Sequence, residues 1–424
     1  MTRVVVAGGG VAGVAAAISA RETGADVTIA EGSGRLACDK SLLPRLLLGA
    51  SPQAALGAAD PDDLAARLGI ETRLGEEVVA VDPDARFIRT RGGRITFDAL
   101  VLATGSSSIP EDLRGVSKPG VFVMRSPDDY LALSRSLGGI PRVALAGSLP
   151  LSLIVAEAIS TGCRNRHVSV FIGEASLPRF SRRVLGMISS AASSRGVELL
   201  EGRVDAVVGV KRAEAVISAG AVHPCDGVVI LPRSSPSLPP LDCVRGDHGG
   251  AIVDDSMLTS CRPVYAAGDC AEPRFGPVSL PSRLHSSSLV MGEVAGINAA
   301  GGIARASLSR CIALELFGVE LCTTGVDADR ARKMGLDAVE FESGAEGGPI
   351  GTSLVYDRTT HRLYGIQVAG PGALSLSDYA SYAVSSGARL DDLAYHESPH
   401  LPLFNRDRSP ISLTAGRALT RQRR

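Results

Sequence analysis

Three glycines and one acid carry the clearest chemistry in this sequence. Gly8, Gly10 and Gly13 form a G-x-G-x-x-G turn inside VVVAGGGVAGVAAA, residues 4–17. An apolar strand-like run precedes the turn and an Ala-rich helical run follows it. Gly8 permits a tight turn. Gly10 lacks a Cβ, so a diphosphate can lie against bare backbone, and Gly13 lets the helix pack closely on the strand. The unpaired N–H groups of the helix N-terminus and its dipole then favour an anion. Glu31 ends the next apolar run, ADVTIAE, 18 residues past Gly13. That is the place for a carboxylate that accepts hydrogen bonds from ribose hydroxyls. A second cluster follows at Cys38, Lys40 and Ser41 in GSGRLACDKSLLPR. A thiol beside a cation and a helix start is the environment that produces a reactive thiolate; a small buried thiol used only for packing is the competing reading.

The elements that must position these residues follow from hydrophobic patterning. Short β-rich runs at residues 3–7, 26–30, 100–103, 142–146, 167–172, 228–231 and 264–267 alternate with Ala-rich helical stretches. This is the pattern of parallel sheets with crossover helices. The expected fold class is α/β: two interleaved Rossmann-like dinucleotide-binding domains plus an α+β C-terminal dimerisation-type domain. Residues 232–240 hold four prolines and three serines and read as a crossing between domains. Strands are expected at 352–357 and 363–368 around a polar turn. The expected domains are 1–113 with 236–305, 114–235, and 306–424.

Bulk composition narrows the function classes. A chain of 424 residues exceeds one core. The net charge of −1 provides no field for nucleic acid or an anionic membrane. No apolar run is long enough for a membrane span, and no secretory leader is read before the first strand, so a cytoplasmic protein is expected. The eight cysteines form no C-x-x-C pair and no zinc spacing, so no metal is expected. The arginines of the C-terminal tail read as a solvated end.

At this point the chain resembles the FAD-dependent pyridine nucleotide-disulfide oxidoreductases. LVLATGSSSIP, residues 100–110, resembles the family's strand-ending A-T-G, here Ala103, Thr104 and Gly105. TSCRPVYAAGDCAE, residues 259–272, resembles the T-x5-Y/F-A-x-G-D motif whose Asp binds the ribityl chain, here Asp269 after Gly268. GEVAGINAAGG, residues 292–302, resembles the helix that faces the flavin. The cofactor implied is FAD, and the expected binding set is Gly8, Gly10, Val11, Ala12, Gly13, Glu31, Lys40, Val79, Ala103, Thr104, Gly105, Gly268, Asp269 and Ser288. PLFNRDRSPI, residues 402–411, resembles a stretch of the NADH oxidase and coenzyme A-disulfide reductase branch, which implies a homodimer.

The sequence departs from that family in two places. In the second dinucleotide half, PRVALAGSLPLSLIVAEAISTG, residues 141–162, Gly147 aligns with the first glycine, Leu149 with the second and Ser152 with the third. Pro150 removes one donor. Ile154 and Ile172 stand where the family has acids, although Glu174 is near, and Leu231-Pro232-Arg233 replaces the second A-T-G. NAD(P)H binding here is expected to be weakened, remodelled or lost. Arg179, Arg182 and Arg183 are nearby cations that would suit a phosphate or a solvated face. The family's redox Cys maps to Ser41, with Cys38 three residues earlier. The segment also resembles flavin reductases that serve ferredoxin, rubredoxin or haem partners, where Asp39, Lys40 and Arg45 match in charge. The candidate catalytic residues are therefore Cys38, Lys40 and Ser41, with Arg283, His285, His396 and His400 as further candidates. The expected function is an FAD-dependent oxidoreductase linked to NAD(P)H through a non-standard donor site. It would pass electrons to a small acceptor or a sulfur or disulfide species. An NAD-independent electron-transfer flavoprotein with a redox protein partner and a non-catalytic FAD-binding protein are the alternatives.

Overall fold

The computed structural model describes residues 1–52, 59–109, 112–162, 166–173, 179–275, 278–279, 281–344, 349–397 and 408–422. The chain divides into two compact units, Met1–Pro110 with Arg233–Leu308, and Glu111–Pro232 with Ser309–Arg424.

The first unit is built on a five-stranded parallel sheet. Its strands run in the order Val264–Ala266, Ala99–Leu102, Arg3–Ala7, Asp26–Glu31 and Glu71–Leu74. Val4 to Ala7 and Leu100 to Leu102 are almost fully buried, as near-continuous apolar runs in a parallel sheet must be. Each such Val or Leu contributes roughly 1.5–3 kcal/mol on burial. The helix Val11–Glu22 crosses one face and packs on the helix His285–Ala299. Small residues set that approach: a Cβ on Gly292 or Gly296 would overlap the carbonyl of Ala12 or Ala16. An antiparallel three-stranded sheet, Val78–Asp82, Phe87–Thr90 and Gly93–Thr96, branches from the same unit. The Pro- and Ser-rich stretch re-enters this unit as the strand Ser234–Pro236, antiparallel to Ser106–Ser108.

The second unit holds another five-stranded parallel sheet, ordered Val197–Glu201, His167–Ile172, Arg142–Gly147, Gly227–Ile230 and Val121–Val123. The buried Arg166 guanidinium staples its edge by donating to the carbonyls of Leu137, Ile140 and Ile159 at 2.8, 3.1 and 2.7 Å. In the same unit the strands Ile312–Leu316, Val319–Gly325, Leu363–Ala369, Gly351–Asp357 and Ala338–Ser343 form an antiparallel sheet in that order. Gln367 ties this sheet to the segment before the helix Arg182–Ser193. Its carbonyl accepts from Ser181 N–H at 2.7 Å and its amide donates to Arg179 O at 2.8 Å. The strands expected from patterning lie where the sequence placed them, within one residue at each end. Among the described residues, no helix is long and apolar enough to cross a membrane.

Candidate functional site

The first glycine turn is open where a diphosphate would have to lie. Gly8 adopts φ +105°, and a Cβ there would overlap the Ala103 carbonyl. Gly13 is equally constrained, because its Cβ would overlap the Gly8 carbonyl. Gly10 differs: a Cβ there would meet nothing within 4 Å. That empty space faces the start of the helix Val11–Glu22, which no side chain caps. The first intrahelical bond is Val14 N–H to Gly10 O at 2.9 Å. The N–H groups of Gly10, Val11, Ala12 and Gly13 find no acceptor among the described residues. Gly9 O accepts from Ala37 N–H at 2.7 Å. Four unpaired donors at a helix N-terminus around a Cβ-free space fit a diphosphate. Glu31 stands beside them. Its carboxylate accepts from Gly9 N–H and Ser33 N–H, both at 2.6 Å, and so is braced against the turn.

Ala103, Thr104, Gly105, Gly268, Asp269 and Ser288 of the expected cofactor set are linked to this turn by contacts and hydrogen bonds. Ala103 is buried under Gly8. Thr104 Oγ1 donates to Ser237 O, and Gly105 O accepts from Ser237 N–H at 2.9 Å. Ser106 Oγ donates to Asp269 Oδ2 at 2.8 Å, holding the acid at the end of the Val264–Ala266 strand. Gly268, at φ +75°, lies against Ala12 and Ser288: its Cβ would come within 3.0 Å of Ala12 Cβ and 3.6 Å of Ser288 Oγ. Val79 lies apart from the turn, exposed at a bulge of the strand Val78–Asp82. The segment before it is tied to Glu31, whose carbonyl accepts from Glu76 N–H at 2.9 Å.

The Cys38 segment is organised differently from expectation. Asp39 caps the 3₁₀ helix Lys40–Leu48: its Oδ1 accepts from Ser41 N–H at 2.9 Å and from the Ser41 hydroxyl at 2.6 Å. The helix start is therefore capped by a carboxylate. Burial pushes the Cys38 thiol up from its ordinary range; Arg35 and then Lys40 act in the opposite direction without prevailing. The expected activation of Cys38 by Lys40 and a helix N-terminus is corrected accordingly. Lys40 is exposed and makes no ion pair or hydrogen bond with a described residue. His285 Nδ1 lies 3.2 Å from Asp39 Oδ2 and joins this segment to the head of the His285–Ala299 helix. The sequence alone offered no reason to pair those two residues across the chain. Arg283 is exposed at φ +54°.

The second turn is closed. Leu149 is buried, and a Cβ on Gly147 would press to 2.6 Å from Leu231 Cβ. Ser152 N–H and Ser152 Oγ both bond Ser148 O, at 3.1 and 2.7 Å, and Leu153 N–H bonds Pro150 O at 3.0 Å. Of positions 149–152, with Pro150 lacking an N–H, Leu149 and Leu151 keep donors without an acceptor among the described residues, where positions 10–13 of the first turn have four. A diphosphate fits this turn poorly. Ile154 is half-buried on the helix Leu151–Thr161 and Ile172 ends its strand. Arg179, a candidate phosphate ligand, instead pairs with Asp329 at 2.8 Å. Arg182 is exposed and Arg183 lies against Gly344 and Gly351 of the C-terminal sheet. His396 stacks on Tyr379 at 5.6 Å between ring centres. Glu174, His400 and residues 402–407 lie outside the described residues.

Comparison with known proteins agrees with this geometry. The pyridine nucleotide-disulphide oxidoreductase family profile matches residues 2–288. The chain is 26% identical to the NAD(P)H sulfur oxidoreductase (CoA-dependent) of Pyrococcus furiosus, covering 95% of this chain and 96% of that protein. Among solved structures, a water-forming NADH oxidase from Lactobacillus brevis bound to NADH superposes with a TM-score of 0.88 at 22% identity, covering 100% of this chain and 99% of that one. An NAD-dependent persulfide reductase from A. fulgidus gives 0.86 at 22% identity, covering 99% and 84%. The chain belongs to the pyridine nucleotide-disulphide oxidoreductase family. It is accordingly an FAD-dependent oxidoreductase.

Proposed function

We propose that this chain oxidises NAD(P)H through a donor site remodelled at the second turn and passes the electrons to a small acceptor, with sulfur compounds the favoured class. The open first turn carries the reading: four free N–H groups around Gly10 hold the FAD diphosphate, Glu31 orients the adjoining ribose, and Asp269 holds the ribityl chain. Bound FAD supplies the two-electron chemistry. The protein's own contribution is to fix the cofactor against bare backbone and to keep Lys40 and the Asp39–His285 pair nearby. The sulfur preference rests on the similarity to the Pyrococcus furiosus protein. A homodimer is part of the same proposal, supported by the resemblance of residues 402–411.

Anaerobic titration of the FAD-loaded protein with NADH and then NADPH tests the donor. The expected result is bleaching of the visible flavin band that saturates only at high nucleotide concentration. The closed second turn also favours a second reading, in which a redox protein partner reduces the flavin. Full bleaching by dithionite with none by either nucleotide would overturn the NAD(P)H reading in favour of that one.

A further inference from the structure

Two distant parts of the first unit meet at one ion pair, where Asp39 Oδ2 lies 3.2 Å from His285 Nδ1. The other carboxylate oxygen, Asp39 Oδ1, accepts from the Ser41 amide and hydroxyl at 2.9 and 2.6 Å. The half-buried Asp39 is thus held at both oxygens and fixes the ring of His285. Nδ1 faces the carboxylate, and Nε2 has no partner among the described residues, so Nε2 is the atom left to exchange a proton. His285 is exposed and is the first residue of the helix His285–Ala299. No side chain caps that helix, and the N–H groups of His285, Ser286 and Ser287 have no acceptor among the described residues. One turn further on, Ser288 lies beside Gly268, which also meets Ala12 of the open first turn and precedes Asp269. The imidazole therefore stands at the positive end of a helix, one turn from the residues assigned to the cofactor.

The other titratable groups placed around His285 are few. Cys38 and Lys40 flank Asp39, and Lys40 is exposed and unpaired among the described residues. Arg283, also exposed, lies two residues ahead of His285 on its own segment. Asp269, bonded to Ser106, and the buried Cys270 follow Gly268. The packed helix Val11–Glu22 carries its charges, Arg21 and Glu22, at its far end. Asp39 alone forms an ion pair with the imidazole.

We infer that Asp39 and His285 are a proton-coupling pair for the bound flavin: His285 takes up a proton at Nε2 when the flavin is reduced, and Asp39 is the positioning residue that holds the ring and carries the counter-charge. This rests on the assignment of FAD to the first turn and of the His285–Ala299 helix as the one that faces the flavin. The balance is two electrons from NAD(P)H or dithionite and two protons, one retained by the reduced cofactor and one by the imidazole. A negative charge gained beside the imidazole favours its protonated form, and the Asp39 carboxylate favours it further.

The reduction potential of the FAD-loaded protein, measured by spectroelectrochemical titration across pH, counts those protons; a merely structural ion pair would not change the count. For a two-electron couple each proton taken up is a tenfold change in equilibrium constant per pH unit, or about 30 mV. In neutral to mildly alkaline solution the wild-type slope should reach about 60 mV per pH unit, and His285→Gln should give about 30 mV. The cofactor's own proton is common to both, so the difference belongs to the imidazole. Asp39→Asn keeps a cap for the Ser41 amide, and its steep region should move to lower pH because the imidazole has lost its carboxylate. A wild-type slope of only about 30 mV, which needs no variant to fold, would overturn the inference while the FAD assignment stands. So would equal slopes in wild type and His285→Gln, or an Asp39→Asn curve that superposes on the wild type. A chain that takes up no FAD would overturn the assignment and the inference together.

Discussion

The two dinucleotide-type turns of this chain share a strand–turn–helix plan and differ in what their backbones leave free. At the first, Gly10 leaves open space and four N–H groups have no acceptor among the described residues. At the second, Leu149 is buried in the corresponding position, Pro150 has no N–H and Ser152 is bonded to Ser148. A helix N-terminus is present in both. A diphosphate site asks for more than a helix dipole: unpaired donors and empty space beside them, which the first turn has and the second lacks.

The comparison breaks most sharply if the first turn is made to resemble the second. Gly10→Leu meets no neighbour near its Cβ and sits at an ordinary φ of −68°, so the fold should persist. Blocking even two charged hydrogen bonds costs about 3–6 kcal/mol, so FAD affinity should fall by about 100-fold or more. Flavin content after purification, with a circular dichroism melt to confirm folding, checks this; full flavin retention would break the comparison.

The reverse substitution sharpens it. Leu149→Gly should lower stability by about 2–5 kcal/mol, as other truncations of buried leucines do. It should also tighten NADH binding by about tenfold, the effect of one recovered hydrogen bond. Chemical denaturation and anaerobic titration measure the two effects separately, and unchanged nucleotide affinity would show that Leu149 is not the obstruction.

Glu31→Gln leaves one acceptor oxygen for the two N–H groups of Gly9 and Ser33 and turns an amide donor toward the other. The expected loss is about 1–2 kcal/mol, or roughly tenfold in FAD affinity by fluorescence titration. The smallest effect belongs to Cys38. Burial keeps its thiol protonated at neutral pH and holds its titration above the ordinary range. Its alkylation rate should therefore rise only in alkaline solution. Cys38→Ser should leave turnover within about twofold, the usual scale for a substitution that removes no specific interaction.

Much of this contrast was legible in the sequence, because glycine, proline and leucine act directly through backbone freedom and space. The parallel strands were legible for the same reason: fully buried strands must be written as short apolar runs. Other features lay beyond reach. Asp39 occupies the helix start that the sequence assigned to Cys38, and capping depends on a rotamer that patterning does not encode. The Asp39–His285 pair joins residues far apart in the chain. Arg179 could be read as a phosphate ligand only while its partner Asp329, 150 residues away, was unknown.

Equilibrium dialysis of the deflavinated wild-type protein against FAD tests the first turn most directly. One tightly held FAD per chain, lost when position 10 carries leucine, is the predicted outcome. A wild-type chain that takes up no FAD, or a leucine variant that holds it equally well, would contradict the assignment of that turn as the cofactor's anchor.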